Sequence, residues 1–237
     1  MDKSYTIPSL LLIVLICCFI GNISLGSAVI SDTPTEGERP NLLRDFVNRG
    51  VESTSFHVSF FSYKPRLEQF TALLNGLGAP ALNAGLMPVA SVKLKHTSEL
   101  TSEIALGYWT NDTALPPPAA ADLSATFIPI SFNLLYRPVM LYDFLPLYFG
   151  GGVGYSHLSV AGSGLVLLAA QGITLDNGNS GLTGHLQVGL MYPLLDDQLT
   201  LTFEAKRILK TFKGSGTVPF DLDFDGTAIG VGVGLNF

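Results

Sequence analysis

Cysteine is nearly missing from this chain of 237 residues, and the two present, Cys17 and Cys18, both lie in an apolar leader. Once that leader is removed, disulfides, thiolate metal sites and cysteine nucleophiles are excluded together. Charge is sparse as well: 14% of residues are Asp, Glu, Lys or Arg, and the net charge of −6 offers nothing to nucleic acid. The four histidines, His57, His96, His157 and His185, show no metal-ligand spacing. No metal and no cofactor are therefore expected. Long apolar runs are also missing beyond the leader, so no segment reaches the ~20 residues of a spanning helix. Yet 47% of the chain is hydrophobic. High apolar content without long runs is the composition of a chain that turns half of each strand toward lipid.

Residues 1–28 read as a signal peptide. Lys3 gives a thin positive start, Leu10 to Ile20 is an unbroken apolar run, and Gly26-Ser27-Ala28 supplies small residues for cleavage. Ile16 precedes Cys17, so the small residue that a lipoprotein signal requires is not there. Residues 29–51 follow as a polar N-terminal segment on the periplasmic side, with a short helical pattern at Leu42, Leu43, Phe46 and Val47. Residues 52–237 form the main domain.

That domain is written in period two. Ile229, Val231, Val233, Leu235 and Phe237 alternate with Gly230, Gly232, Gly234 and Asn236, so a strand here has one greasy face and one nearly bare. The same alternation recurs at about 53–63, 87–96, 101–110, 123–137, 144–160, 182–192, 197–210 and 222–237. The first of these is the least regular, because Phe61 and Tyr63 fall on its polar face. Connections alternate too. Thr97 to Leu100, Pro138 to Asp143 and Pro193 to Asp197 are short, and the other four are longer. Short turns on one side and long loops on the other describe an all-β, eight-stranded antiparallel up-and-down transmembrane barrel with both chain ends in the periplasm. Tyr136, Tyr155 and Tyr192 sit near strand ends on the greasy face, where an interfacial girdle belongs.

The polar face carries Lys93, Lys95, Glu103, Arg137, Glu204 and Lys206, expected to point into the lumen. Charges there must pair or stay wet, because an isolated buried charge costs several kcal/mol, of order ~5. Glycines at 150, 152, 154, 230, 232 and 234 thin this face on the fifth and eighth strands. Either aromatics from other strands fill the space, or a narrow cavity remains.

The stretches Phe132-Asn133-Leu134-Leu135-Tyr136-Arg137 and Pro146-Leu147-Tyr148-Phe149-Gly150-Gly151-Gly152-Val153-Gly154-Tyr155 resemble the fourth and fifth strands of small outer-membrane barrels, the OmpW family and the OmpA-type barrel domains. Gly184 to Lys206 resembles their sixth and seventh strands around a Leu-Asp-Asp turn, and the terminal Phe237 resembles the signal read by the barrel-assembly machinery. The resemblance implies an eight-stranded barrel in an outer membrane, with lipid and lipopolysaccharide around it. In the OmpW branch it further implies an apolar lumen that passes small hydrophobic molecules.

Three other constellations carry candidate chemistry. Asp221, Asp223 and Asp225 open like a calcium loop, but position 232, where a closing Glu belongs, is Gly. They stand as a candidate divalent-cation cluster against a plain solvated strand top. His157 and Ser159 have the His-x-Ser spacing of lipid A-modifying hydrolases, yet Val160 follows and no acid is assignable to orient the imidazole. No catalytic residue is therefore assigned. The first long loop, 64–86, is unusually apolar and carries a helical pattern at Leu67, Phe70, Leu73, Leu74 and Leu77, suited to capping the barrel mouth or gating it. Pro116-Pro117-Pro118 stiffens the second long loop. The expected function is a non-enzymatic, monomeric barrel that binds or passes small hydrophobic molecules. The alternatives are a plugged barrel with a structural or surface role and a lipid A hydrolase.

Overall fold

The computed structural model describes residues 51–237 apart from 77, 79, 115–120, 139–144, 171, 175–178, 196, 214 and 217–220. The leader, the N-terminal segment up to residue 50 and the triple proline thus lie outside the described residues. Eight long strands make the wall: β1 (Ser53–Pro65), β2 (Gly85–Lys95), β3 (Leu100–Gly107, continued as Trp109–Ala114), β4 (Asp122–Tyr136), β5 (Leu147–Ala161), β6 (Asn179–Leu194), β7 (Leu199–Leu209) and β8 (Gly226–Asn236). Each pairs antiparallel with the next, and β8 pairs with β1, so the sheet closes without an edge.

The registers fix the barrel's geometry. One row of paired residues runs Lys64, Thr227, Arg207, Leu186, Gly151, Leu134, Ser102 and Leu94, and returns to β1 at Thr54, ten residues below its start. A ten-residue stagger at ~3.3 Å per residue, spread over eight strand spacings of ~4.8 Å, tilts the strands by about 40°. The tight ends are held by side-chain and left-handed turns. Thr97 Oγ1 accepts from the amides of Glu99 and Leu100 at 3.2 and 3.0 Å, while Leu195 and Asp197 take positive φ between β6 and β7. Asn236 and Phe237 lie at this same end, and the Phe237 amide donates to the Thr54 carbonyl at 2.9 Å.

Burial alternates along most of the wall, and the large exposed residues are apolar: Val153 is 66% exposed, Ile229 65% and Phe132 46%. Tyr136, Tyr155 and Tyr192 share that exterior. A closed wall with polar residues inside and an apolar outer face inverts the arrangement of a soluble protein, and only hydrocarbon satisfies it. No described helix is long and apolar enough to cross a membrane. The two described helices are short and lie in outer loops: α1 (Glu68–Gly76) between β1 and β2, and α2 (Gly164–Ala170) between β5 and β6.

Two elements differ from the sequence pattern. The third strand is interrupted at Tyr108, because its neighbours there are prolines: Pro88 on β2 and Pro129 on β4 have no N–H to give the ladder. The eighth strand begins at Gly226 rather than near 222. Asp221–Asp223 pairs instead with Thr211–Lys213 as a separate two-stranded ladder above the barrel, and the carboxylate of Asp223 accepts from the Asp225 amide at 3.0 Å, turning the chain back into β8.

Candidate functional site

The interior is stratified, and strand parity is what builds each layer. Alternate residues of every strand face inward, so the sequence of small, charged and aromatic residues along those positions is also a sequence of depth.

The middle layer is a buried ion network drawn from six strands. Glu103 on β3 is its hub: Oε1 lies 3.6 Å from Lys93 Nζ on β2, and Oε2 lies 3.7 Å from Lys206 Nζ on β7. Asn133 and Gln187 donate to Oε2 at 3.0 and 3.1 Å. Lys206 also meets Glu204 at 2.6 Å, and Tyr148 donates its hydroxyl to Glu204 at 2.5 Å. Two ammonium and two carboxylate groups balance across the lumen. Lys206 further lies over the Phe61 ring at 5.1 Å, and Lys93 over the Tyr148 ring at 5.5 Å. The glycines are filled by neighbouring strands: a methyl at Gly189 would stand 2.6 Å from Tyr148 Cζ, and one at Gly230 would stand 2.6 Å from Phe61 Cδ1.

Of the six charged residues expected in the lumen, four form this network and two do not. Lys95 and Arg137 keep inward parity but lie at the ends of their strands, so they reach the mouth. Lys95 is 43% exposed on its side chain and pairs with Glu52 at 3.4 Å. Arg137 Nη2 donates to Met191 Sδ at 2.8 Å. Both line a vestibule of about 280 Å³ at the end of the barrel that carries the C-terminus, together with Lys93, His57, Thr101, Asp197, Thr200 and Asn236.

The layer on the far side of the network is apolar and aromatic. Tyr63 and Phe127 stack at 5.9 Å, Phe127 and Phe224 at 5.2 Å, and Trp109 meets Phe224 edge-on at 5.9 Å. Phe212 packs edge-on against both Phe127 and Phe224. Phe70 and Leu74 of α1, four residues apart on one helix face, join the same buried cluster, as do Leu158, Val160 and Leu168. The first and last outer loops are clasped over it. The amides of Arg66 and Leu67 donate to the carbonyls of Asp225 and Asp223 at 2.8 and 3.0 Å, Leu67 takes φ of 40°, and the Tyr63 hydroxyl donates to the Phe224 carbonyl. Sequence pattern alone left open whether aromatics or a cavity occupies the lumen, and did not place this layer. Its signal was present in β1, whose inward positions change from His57 and Ser59 to Phe61 and Tyr63.

Among the described residues the other candidates are engaged in local contacts. Asp225 pairs with Arg207 at 2.5 Å, Asp223 caps the turn into β8, and Asp221 lies in the short outer ladder with its side chain outside the described residues. Among the described residues no group of three ligating side chains could hold a metal ion. His157 Nδ1 bonds Ser180 Oγ across the β5–β6 pair at 2.8 Å, so its partner is not Ser159. Phe237 is 80% exposed at the C-terminus.

No family model matches the sequence, and no curated protein is similar to it in sequence. Solved structures do match. The outer membrane protein OprG from Pseudomonas aeruginosa superposes with a TM-score of 0.52 at 14% identity, over 80% of this chain and 97% of that one. AlkL, determined by solid-state NMR in lipid bilayers, gives 0.45 at 15% identity over 88% and 97%, and Neisserial surface protein A gives 0.43 at 11% over 78% and 96%. The fold is that of the small eight-stranded outer-membrane barrels.

Proposed function

We propose that this chain is a non-enzymatic, monomeric, OmpW-like barrel of an outer membrane that binds small hydrophobic molecules in its aromatic layer. In this reading the signal peptide 1–28 is removed after export, the barrel-assembly machinery reads the terminal Phe237, and lipid and lipopolysaccharide surround the wall. One observation carries it: a buried apolar and aromatic layer lies above the ionic layer, next to a gap in the β3–β4 ladder. At Gly107 and Tyr108 the β3–β4 ladder lapses beside Pro129, while toward β2 Gly107 still pairs with Val89 and the Tyr108 amide donates to the Pro88 carbonyl at 3.0 Å; Met87 and Trp109 beside this gap belong to the buried cluster. An apolar solute entering from the membrane would need no axial path through the charges. The chain's one tryptophan, Trp109, is a built-in reporter there. The test is quenching of Trp109 by a brominated alkane in vesicles holding the refolded mature protein. Saturable quenching is expected. Quenching that only tracks partitioning into lipid, as it would for a Trp109→Phe/Phe132→Trp control on the outer face, defeats the reading.

A second reading is favoured by the packing itself. The ion network pairs across the lumen and the aromatic rings fill the layer above it, as in a plugged barrel with a structural or surface role. Linear quenching of Trp109 leaves this reading standing.

A further inference from the structure

The vestibule at the chain-terminal mouth is a second feature of the interior, and its chemistry is unlike that of the aromatic layer. Three basic side chains from two strands converge on it, Lys93 and Lys95 of β2 and Arg137 just beyond β4. Asp197, in the β6–β7 turn at the rim, is the one carboxylate among the lining residues. Glu103, behind Lys93, is already shared among Lys93, Lys206, Asn133 and Gln187. Its 3.6 Å distance from Lys93 is longer than a charge-assisted hydrogen bond of about 2.8 Å, so the ammonium keeps donor capacity on its cavity side. His57 is buried in the same wall. Its Nε2 bonds Ser55 Oγ at 3.0 Å, while its Nδ1 has no partner among the described residues. Hydroxyls of Ser55, Thr101 and Thr200 complete a donor-rich lining, and Met191 and Pro193 supply an apolar wall.

We propose that this vestibule binds a small oxyanion, a carboxylate or a phosphate, with Lys93 at its floor and Arg137 at its side. A volume of about 280 Å³ holds such a head group with a short carbon skeleton, not a chain of protein or lipid. The ligand approaches from the chain-terminal face, so the site works independently of hydrophobic binding on the other side of the ion network.

The test uses the mature protein refolded in detergent micelles, with inorganic phosphate followed by phosphorus NMR and acetate titrated separately, at constant ionic strength set by chloride. Saturable binding of either anion is expected. Arg137→Gln, at the mouth and outside the buried network, weakens it by about tenfold, the value of one hydrogen bond to a charged group. Lys64→Gln, an exposed cation at the opposite end of β1, leaves it unchanged. Saturation by neither anion, or an equal loss in Lys64→Gln and Arg137→Gln while both stay folded by heat-modified gel mobility, overturns the site.

Discussion

Glu103 shows what a single residue does in this interior. It is 1% exposed and lies between two ammonium groups, Lys93 at 3.6 Å and Lys206 at 3.7 Å, whose side chains are themselves buried. Glu103→Gln keeps the side chain's shape but strands Lys93, and about 3–5 kcal/mol of stability should be lost, measured by urea unfolding in vesicles. Removing the pair together should cost far less: in Lys93→Met/Glu103→Leu, Lys206 retains Glu204 at 2.6 Å, and no lone charge remains at the hub. A double variant no more stable than Glu103→Gln would show that the network acts through packing and not through charge. The faces of Glu103, Lys93, Glu204 and Lys206 were legible in the sequence, because period two assigns every residue of a strand to one side. Depth was not. Lys95 and Lys93 have the same parity, yet two residues separate a mouth lysine from a buried one. Parity is a local property of the chain, whereas depth depends on the stagger of eight strands, which no single segment contains.

At the scale of elements, α1 was readable and its role was not. The spacing of Phe70, Leu73, Leu74 and Leu77 predicts a helix, and α1 forms over Glu68–Gly76. What it covers depends on aromatics from β1, β3, β4 and the last outer loop, whose rings meet only after closure. Phe61 and Tyr63 looked like faults in an alternating pattern for that reason. Phe70→Ala removes a ring that is 2% exposed, a change that costs about 3–5 kcal/mol in a packed core. Here the loss falls on the loop and not on the wall, since α1 makes none of the barrel's ladder bonds. The expected outcome is a red-shifted Trp109 emission and faster proteolysis within residues 66–82, with unchanged heat-modified gel mobility. A variant that loses the folded band altogether would mean that the helix helps hold the barrel closed. The break in β3 was also beyond sequence reasoning, although both causes, Pro88 and Pro129, were in view. A proline announces a missing donor, but only the register shows that two of them flank the same stretch of one strand.

The whole molecule carries two barriers in series along its axis, and they are built from opposite chemistry. An ion sees the aromatic layer as hydrocarbon, and an apolar solute sees the Lys93–Glu103–Lys206–Glu204 layer as a set of fixed charges already satisfied by one another. Each barrier blocks what the other would tolerate least, so removing one alone should not open an aqueous path. Replacing residues 66–82 by a short turn strips α1 from the outer mouth but leaves the ionic layer and the inward aromatics of the wall. Planar bilayers holding that variant should remain as silent as those holding the intact barrel. Conductance should appear only when the truncation is combined with thinning of both layers, through Phe61→Gly, Tyr148→Gly and Lys206→Ala, whose side chains fill the space beside Gly230, Gly189 and Glu103 in turn. A steady ionic current in the loop truncation alone would show that the charge network passes ions by exchanging partners, and the ionic layer would then be a gate and not a seal.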